Sequence, residues 1–149
     1  MEPVYSSLTT RALNLIRACQ DQNRVVVILA GPPGSGKTTI AAKVISRLNA
    51  SSTTPFAAVL PMDGFHLSRA TLNAMPNSVE AYARRGASWT FDETAVLRLV
   101  EKLSKSRFES PETILAPSFD HAVKDPVEGG IILSPDVKFV LLDGNSFEE

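Results

Sequence analysis

Cysteine is nearly absent from this chain. Cys19 stands alone among 149 residues, so no internal disulfide forms, and without CxxC or CxxH spacing there is no zinc site of several thiolates. A reducing, cytoplasmic setting fits that usage. Charge excess is missing too: 15 Lys and Arg stand against 16 Asp and Glu, a formal net charge of -1. That balance excludes the sequence-independent grip on phosphate backbones of a strongly basic nucleic-acid binder, so any phosphate recognised here is recognised locally. No apolar run approaches the ~20 residues needed to span a bilayer, and no membrane partner is expected. The basic, then apolar, then small-residue pattern of a secretory signal is also lacking. Instead Leu8, Ala12, Leu13, Ile16 and Cys19 repeat at helical spacing. They predict an amphipathic packing helix over about residues 5–20, with a mitochondrial presequence as the alternative.

What is present is the composition of one globular domain, 44% hydrophobic and 21% charged, without internal repeats or low-complexity tracts. Residues 25–30 are a β-branched run without polar alternation, the pattern of a strand buried on both faces of a parallel sheet. Gly31 ends it, and Ile40, Ala41, Val44, Ile45 and Leu48 then recur at helical spacing over 37–48. A second apolar run, 56–62, carries Pro61 near its end, as a strand at a sheet margin does, and leads into Asp63-Gly64. The capping-box spacings of Asn77 with Glu80 and of Thr90 with Glu93 predict a short helix over 78–85, stopped by Gly86. They also predict a longer one over about 92–104 with Val96, Val100 and Leu103 as its buried stripe. Residues 107–135 are rich in proline and glycine and read as loop, with brief strand-like pieces at 113–116 and 130–133. A last strand-like run, 137–142, ends in Asp143-Gly144-Asn145.

Gly31-Pro32-Pro33-Gly34-Ser35-Gly36-Lys37-Thr38 fits the phosphate-binding pattern GxxxxGK[ST] and lies where its mechanism requires, after a buried strand and opening a helix. Glycines let the backbone wrap an anion so that successive N–H groups and the helix N-terminus point at the β-phosphate. Lys37 neutralises the β/γ oxygens, and the Thr38 hydroxyl is a Mg²⁺ ligand. Asp63 lies just beyond the second strand, at the carboxyl edge where open α/β sheets bind ligands. There it can take the proton of an alcohol attacking the γ-phosphate or hold a magnesium-bound water; an Asp-Gly turn is the plainer reading. Asp143 ends a strand of the Walker B type, whose carboxylate reaches the metal's outer shell.

In chain order, the glycine loop, Pro61-Met62-Asp63-Gly64-Phe65-His66, Arg84-Arg85-Gly86-Ala87-Ser88-Trp89-Thr90-Phe91-Asp92, Pro117-Ser118-Phe119-Asp120-His121-Ala122-Val123-Lys124-Asp125-Pro126 and Leu141-Leu142-Asp143-Gly144-Asn145 resemble the phosphoribulokinase/uridine kinase family of P-loop kinases. The pattern over residues 24–145 is most similar to its pantothenate kinase and fructose-transport-kinase-like branch. This resemblance implies an α/β, three-layer P-loop fold with a parallel sheet, and ATP-dependent phosphorylation of a hydroxyl on a small molecule. ATP and Mg²⁺ would be the cofactors. Asp63 and Lys37 would be catalytic, Gly31, Pro32, Pro33, Gly34, Ser35, Gly36, Lys37, Thr38 and Thr39 would cradle the nucleotide, and Thr38 and Asp143 would face the metal. His66, Arg84, Arg85, Asp92, His121 and Lys124 would line the acceptor side. A homo-oligomer is left open.

Two departures accompany the resemblance. Asp143 stands where the family commonly carries glutamate, one methylene longer, which lengthens an outer-shell contact. The chain also stops at Glu149, where family members continue with further strands, helices and an arginine-bearing lid. On that reading the strand over 25–30, central in the family, becomes an edge. Two functions stay open: a small-molecule kinase, and a nucleotide-binding module without appreciable turnover.

Overall fold

The structure is a computed structural model and describes residues 1–19, 23–32, 34–105 and 112–145. Three parallel strands, β1 (Val25–Gly31), β2 (Ala57–Pro61) and β5 (Phe139–Asn145), form a sheet in the order β1-β5-β2. Register aligns their carboxyl ends, with Leu29 and Pro61 both opposite Asp143.

Alternation along β5 builds the layers. Phe139 and Leu141 pack with Ala41, Val44, Ile45 and Leu48 of α2 (Lys37–Ala50) and Ala12 of α1 (Glu2–Ala18). Val140 and Leu142 point the other way, into a core with Leu60, Phe65 and with Leu99 and Leu103 of α5 (Glu93–Leu103). Helices thus cover one face of the sheet, and α5 with a β-hairpin covers the other, giving the expected three-layer α/β architecture. None of the described helices is long and apolar enough to cross a membrane.

Four local expectations change. First, the run over 25–30 is not buried on both faces as its composition suggests: Ile28 is 62% exposed, and β1 lies at the sheet edge, as expected from the resemblance. Second, the span over 107–135 is mostly not loop. Where it is described, it forms a long antiparallel hairpin of β3 (Ile114–Asp120) and β4 (Asp125–Leu133); residues 107–111 lie outside the described residues. Pro117 is tolerated because it sits at a register shift between Ala116 and Ser118, where the ladder needs no N–H from it.

Third, two short helices lie between β2 and α5. The first, α3 (Arg69–Ala74), was unforeseen; the second, α4 (Ser78–Ala83), is shorter than 78–85. Ser68 caps α3 by accepting from the Thr71 N–H at 3.1 Å, whereas Asn77 makes no side-chain cap on α4. Fourth, Asp92, not Thr90, caps α5, its Oδ1 accepting from the Ala95 N–H at 3.1 Å. Thr90 is fully buried and ties the preceding turn, donating to the Ala87 carbonyl at 2.7 Å and accepting from the Gly86 N–H at 2.9 Å. The α5 stripe is correspondingly Leu99 and Leu103, with Val96 only partly buried.

Candidate active site

Three elements deliver their functional residues to the carboxyl edge of the parallel sheet: the loop after β1, the turn after β2 and the end of β5. The loop needs its glycines. Gly34 and Gly36 have φ of 77° and 87°, a left-handed backbone that costs other residues about 1–2 kcal/mol. Gly36 is also the residue from which α2 starts. Ser35 N–H donates to the Pro32 carbonyl at 3.2 Å, tightening the turn. Lys37 reaches back to the same carbonyl at 3.3 Å, so its ammonium lies over the loop it would serve. Gly31 is held close to Ser35 and Lys37, where a Cβ would come within 3.0 Å of Ser35 Oγ. Thr38 and Thr39 are exposed on the first turn of α2. Pro33 lies outside the described residues.

The Thr38 hydroxyl donates to Asp143 Oδ2 at 3.0 Å. Asp143 is 8% exposed, so this bond offsets part of the desolvation of its carboxylate. The shorter side chain of aspartate still reaches the helix. Two hard oxygen donors side by side at the mouth of the loop suit Mg²⁺, which takes one or two protein oxygens and completes its shell with phosphates and water. Among the described residues no group of three or more His, Cys, Asp or Glu side chains converges into an all-protein cage.

Asp63 lies in the 3₁₀ turn Met62–Phe65 that directly follows β2. Gly64 fits there because a Cβ would overlap the Pro117 carbonyl of the hairpin. The Asp63 carboxylate is half exposed and stands 3.9 Å from His121 Nε2, beyond hydrogen-bond range. Its backbone carbonyl bonds the His66 ring through Nδ1 at 2.7 Å. That ring stacks on Phe91 and Phe119, with centroids at 4.2 and 4.9 Å. His66 is therefore a packed residue next to Asp63, and His121 is the freer of the two, 77% exposed.

The remaining expected acceptor residues divide. Arg85 and Lys124 line one cavity together with Arg69. Arg84 does not join them: it is 68% exposed at the end of α4 and pairs with Glu80 at 3.9 Å, one helical turn away. Asp92 spends its carboxylate on the cap of α5, although it borders a groove that also includes His66. Arg69, Phe119 and Asp125 are structural parts of the site that residue-by-residue reading did not single out. Arg69 opens α3, whose Ser68-x-x-Thr71 cap was its only signal.

Comparisons with known proteins bear on the family and the fold. The family model described as ATPase family associated with various cellular activities (AAA) matches residues 27–114, more than half of the chain. "Putative uridine kinase C227.14" of Schizosaccharomyces pombe is 38% identical over 141 residues, covering 95% of this chain and 57% of that protein. A crystal structure from Silicibacter sp. TM1040, titled as a putative fructose transport system kinase, is 31% identical. It superposes with a TM-score of 0.73 over 93% of this chain and 63% of its own. YFH7 of Saccharomyces cerevisiae, titled a putative P-loop containing kinase with a circular permutation, shares the fold at TM-score 0.81 and 23% identity, over 95% of this chain and 73% of its own. The chain spans about half the length of the curated relatives it matches. It belongs to the P-loop family that the AAA model describes. The relatives and solved structures it is similar to are named or titled as kinases, in keeping with the family its motifs resemble.

Proposed function

We propose that this chain carries the nucleotide site and the base of an ATP-dependent kinase that phosphorylates an alcohol on a small molecule. The observation that carries the reading is the meeting of Thr38 with Asp143 at 3.0 Å, beside the glycine loop and at the same sheet edge as Asp63. In this reading the loop N–H groups and Lys37 hold the β- and γ-phosphates, and Thr38 and Asp143 hold Mg²⁺ directly or through water. Held there, the metal would supply neutralisation of the phosphate charge. Asp63 takes the proton of the acceptor hydroxyl as its oxygen bonds to the γ-phosphorus and the bond from that phosphorus to the β–γ bridging oxygen breaks, releasing ADP. His121 stands 3.9 Å from the Asp63 carboxylate, beside the proposed base, while His66 braces the turn through the Asp63 backbone carbonyl.

Calorimetric titration with ATP, with and without Mg²⁺, tests the nucleotide half. Lys37→Ala removes a charge-assisted contact of about 1.5–3 kcal/mol and should weaken ATP binding about 10- to 150-fold. Equal affinity in wild type and variant would refute the phosphate-loop assignment.

A further inference from the structure

Beyond the phosphate loop, the described residues form a second strongly charged concavity. A cavity of about 590 Å³ between α3, α4 and the β3–β4 turn is lined by Arg69, Tyr82, Arg85, Ala122, Val123 and Lys124. Its lining holds three cationic side chains and no carboxylate. Two acids border it: Asp120 accepts the Ala122 and Val123 backbone N–H groups at 2.8 and 3.3 Å, and Asp125 accepts the Arg69 backbone N–H at 2.8 Å and stands 3.9 Å from Arg85 Nη2, too far for a hydrogen bond. Three cations against two carboxylates, both already accepting backbone N–H groups, leave the spot with a net positive charge.

Arg85 is the most telling member. Its side chain is 15% exposed, with Nη2 donating to the Leu67 carbonyl at 3.2 Å and the guanidinium lying 5.5 Å from the centroid of Phe119. Its Nε is buried with no hydrogen-bond partner among the described residues. A guanidinium has five N–H donors, and a mostly buried one left short of acceptors is costly unless an anion supplies them. Lys124 comes to the same cavity from a turn in which its φ is 57°, a backbone region that non-glycine residues rarely occupy.

The cavity adjoins the side on which Asp63 stands. Phe119, which bears the Arg85 guanidinium, also contacts the rings of His66 and His121, each with its centroid 4.9 Å away, and His121 reaches to 3.9 Å of Asp63. We propose that this cavity receives an anionic group, a carboxylate or a phosphate, borne on the same molecule as the hydroxyl that is phosphorylated. The anion preference follows from the lining alone; its assignment to the acceptor rests on the kinase reading. Neutral polyols and nucleosides would leave the three cations unanswered and bind poorly.

The test is calorimetric titration with D-ribose 5-phosphate and D-gluconate, each against its neutral counterpart, D-ribose and sorbitol, and with inorganic phosphate alone. The two anionic arms separate phosphate from carboxylate. The same titrations on Lys37→Ala separate binding in this cavity from a phosphate lodged in the glycine loop. At least one anionic sugar should bind tenfold or more tighter than both its neutral counterpart and inorganic phosphate, with affinity falling as salt is raised. Arg85→Gln and Lys124→Gly should each remove about tenfold of that preference. The second variant keeps the test open if the first fails to fold, because glycine suits φ of 57°. Absence of an anionic preference, its persistence in both variants, or inorganic phosphate binding as tightly as the sugar phosphate would each overturn the proposal. ATP titrated into the same samples reads the kinase assignment separately, since its failure would leave the sugar result unchanged.

Discussion

Thr38 Oγ1 and Asp143 Oδ2 lie 3.0 Å apart although 105 positions separate them in the chain. Parallel pairing of β5 with β1 makes the contact, because Leu29 opposite Asp143 fixes how far the carboxylate stands from the helix that follows the loop. Thr38→Ala leaves a nearly buried carboxylate without this donor, at a cost of about 1–3 kcal/mol. Thermal denaturation should show that loss, and the Mg²⁺-dependent part of ATP affinity should fall about tenfold, while Thr38→Ser keeps both. An alanine variant as stable as wild type with unchanged Mg²⁺ dependence would show that the pair does neither task.

In the proposed mechanism Asp63 acts on the acceptor and not on the nucleotide. A base contributes to proton transfer in the transition state, so Asp63→Asn should lower kcat by about 10² to 10⁴ with ATP affinity unchanged. The measurement is steady-state turnover in the full-length protein, with ATP binding followed separately. Loss of ATP binding with turnover of the bound complex intact would reassign Asp63 to the metal or to the fold.

Gly64 and Gly144 make a matched pair for the packing beneath the site. A Cβ on Gly64 would overlap the backbone carbonyl of Pro117, whereas one on Gly144 would overlap the side chain of Met62. Backbone cannot yield without moving the hairpin, but a methionine side chain can change rotamer. Gly64→Ala should therefore be the more damaging, costing about 1–3 kcal/mol or more, and should also lower kcat because Asp63 is the adjacent residue. Chemical denaturation of both variants checks the order; a larger loss for Gly144→Ala would contradict it.

The parts of the fold legible in the sequence were those whose signal is local. The glycine loop, the strand before it and the helix after it are specified within residues 25–50, and the structure keeps them nearly as read. The hairpin was hidden because Pro117, Pro126, Gly129 and Gly130 look like turn residues, although the structure uses Pro117 at a register shift and packs Gly130 against Ser118. Composition alone did not show the exposure of Ile28, since an apolar strand has the same composition at an edge as at a centre; the edge position was expected only from the resemblance. In the candidate site, motif position singled out Asp63, Lys37, Thr38 and Asp143, and the structure brings them to one edge of the sheet. The partition of Arg84 from Arg85 was not legible in that way, because adjacent residues at the end of a short helix point in different directions and only tertiary contacts decide which one faces inward.

Docking of α1 on α2 gives the pH dependence its clearest case. Glu2 accepts from Arg47 Nη2 at 2.7 and 2.6 Å through its two oxygens, Ser6 donates to it at 3.2 Å, and the Arg47 guanidinium sits 5.4 Å from the centre of the Tyr5 ring. The hydrogen bond from Arg47, aided by its charge and outweighing a small desolvation, holds the Glu2 carboxyl below its ordinary value of 4.5. A carboxyl lowered in the folded state contributes stability that is present above the unfolded value and is lost as pH falls through the folded one. Glu2→Gln should therefore melt below wild type at pH 7, by a small margin because the pair faces solvent. The two melting curves should converge when pH is lowered past the depressed value. A difference that persisted undiminished at low pH would show that Glu2 acts through packing and not through its charge.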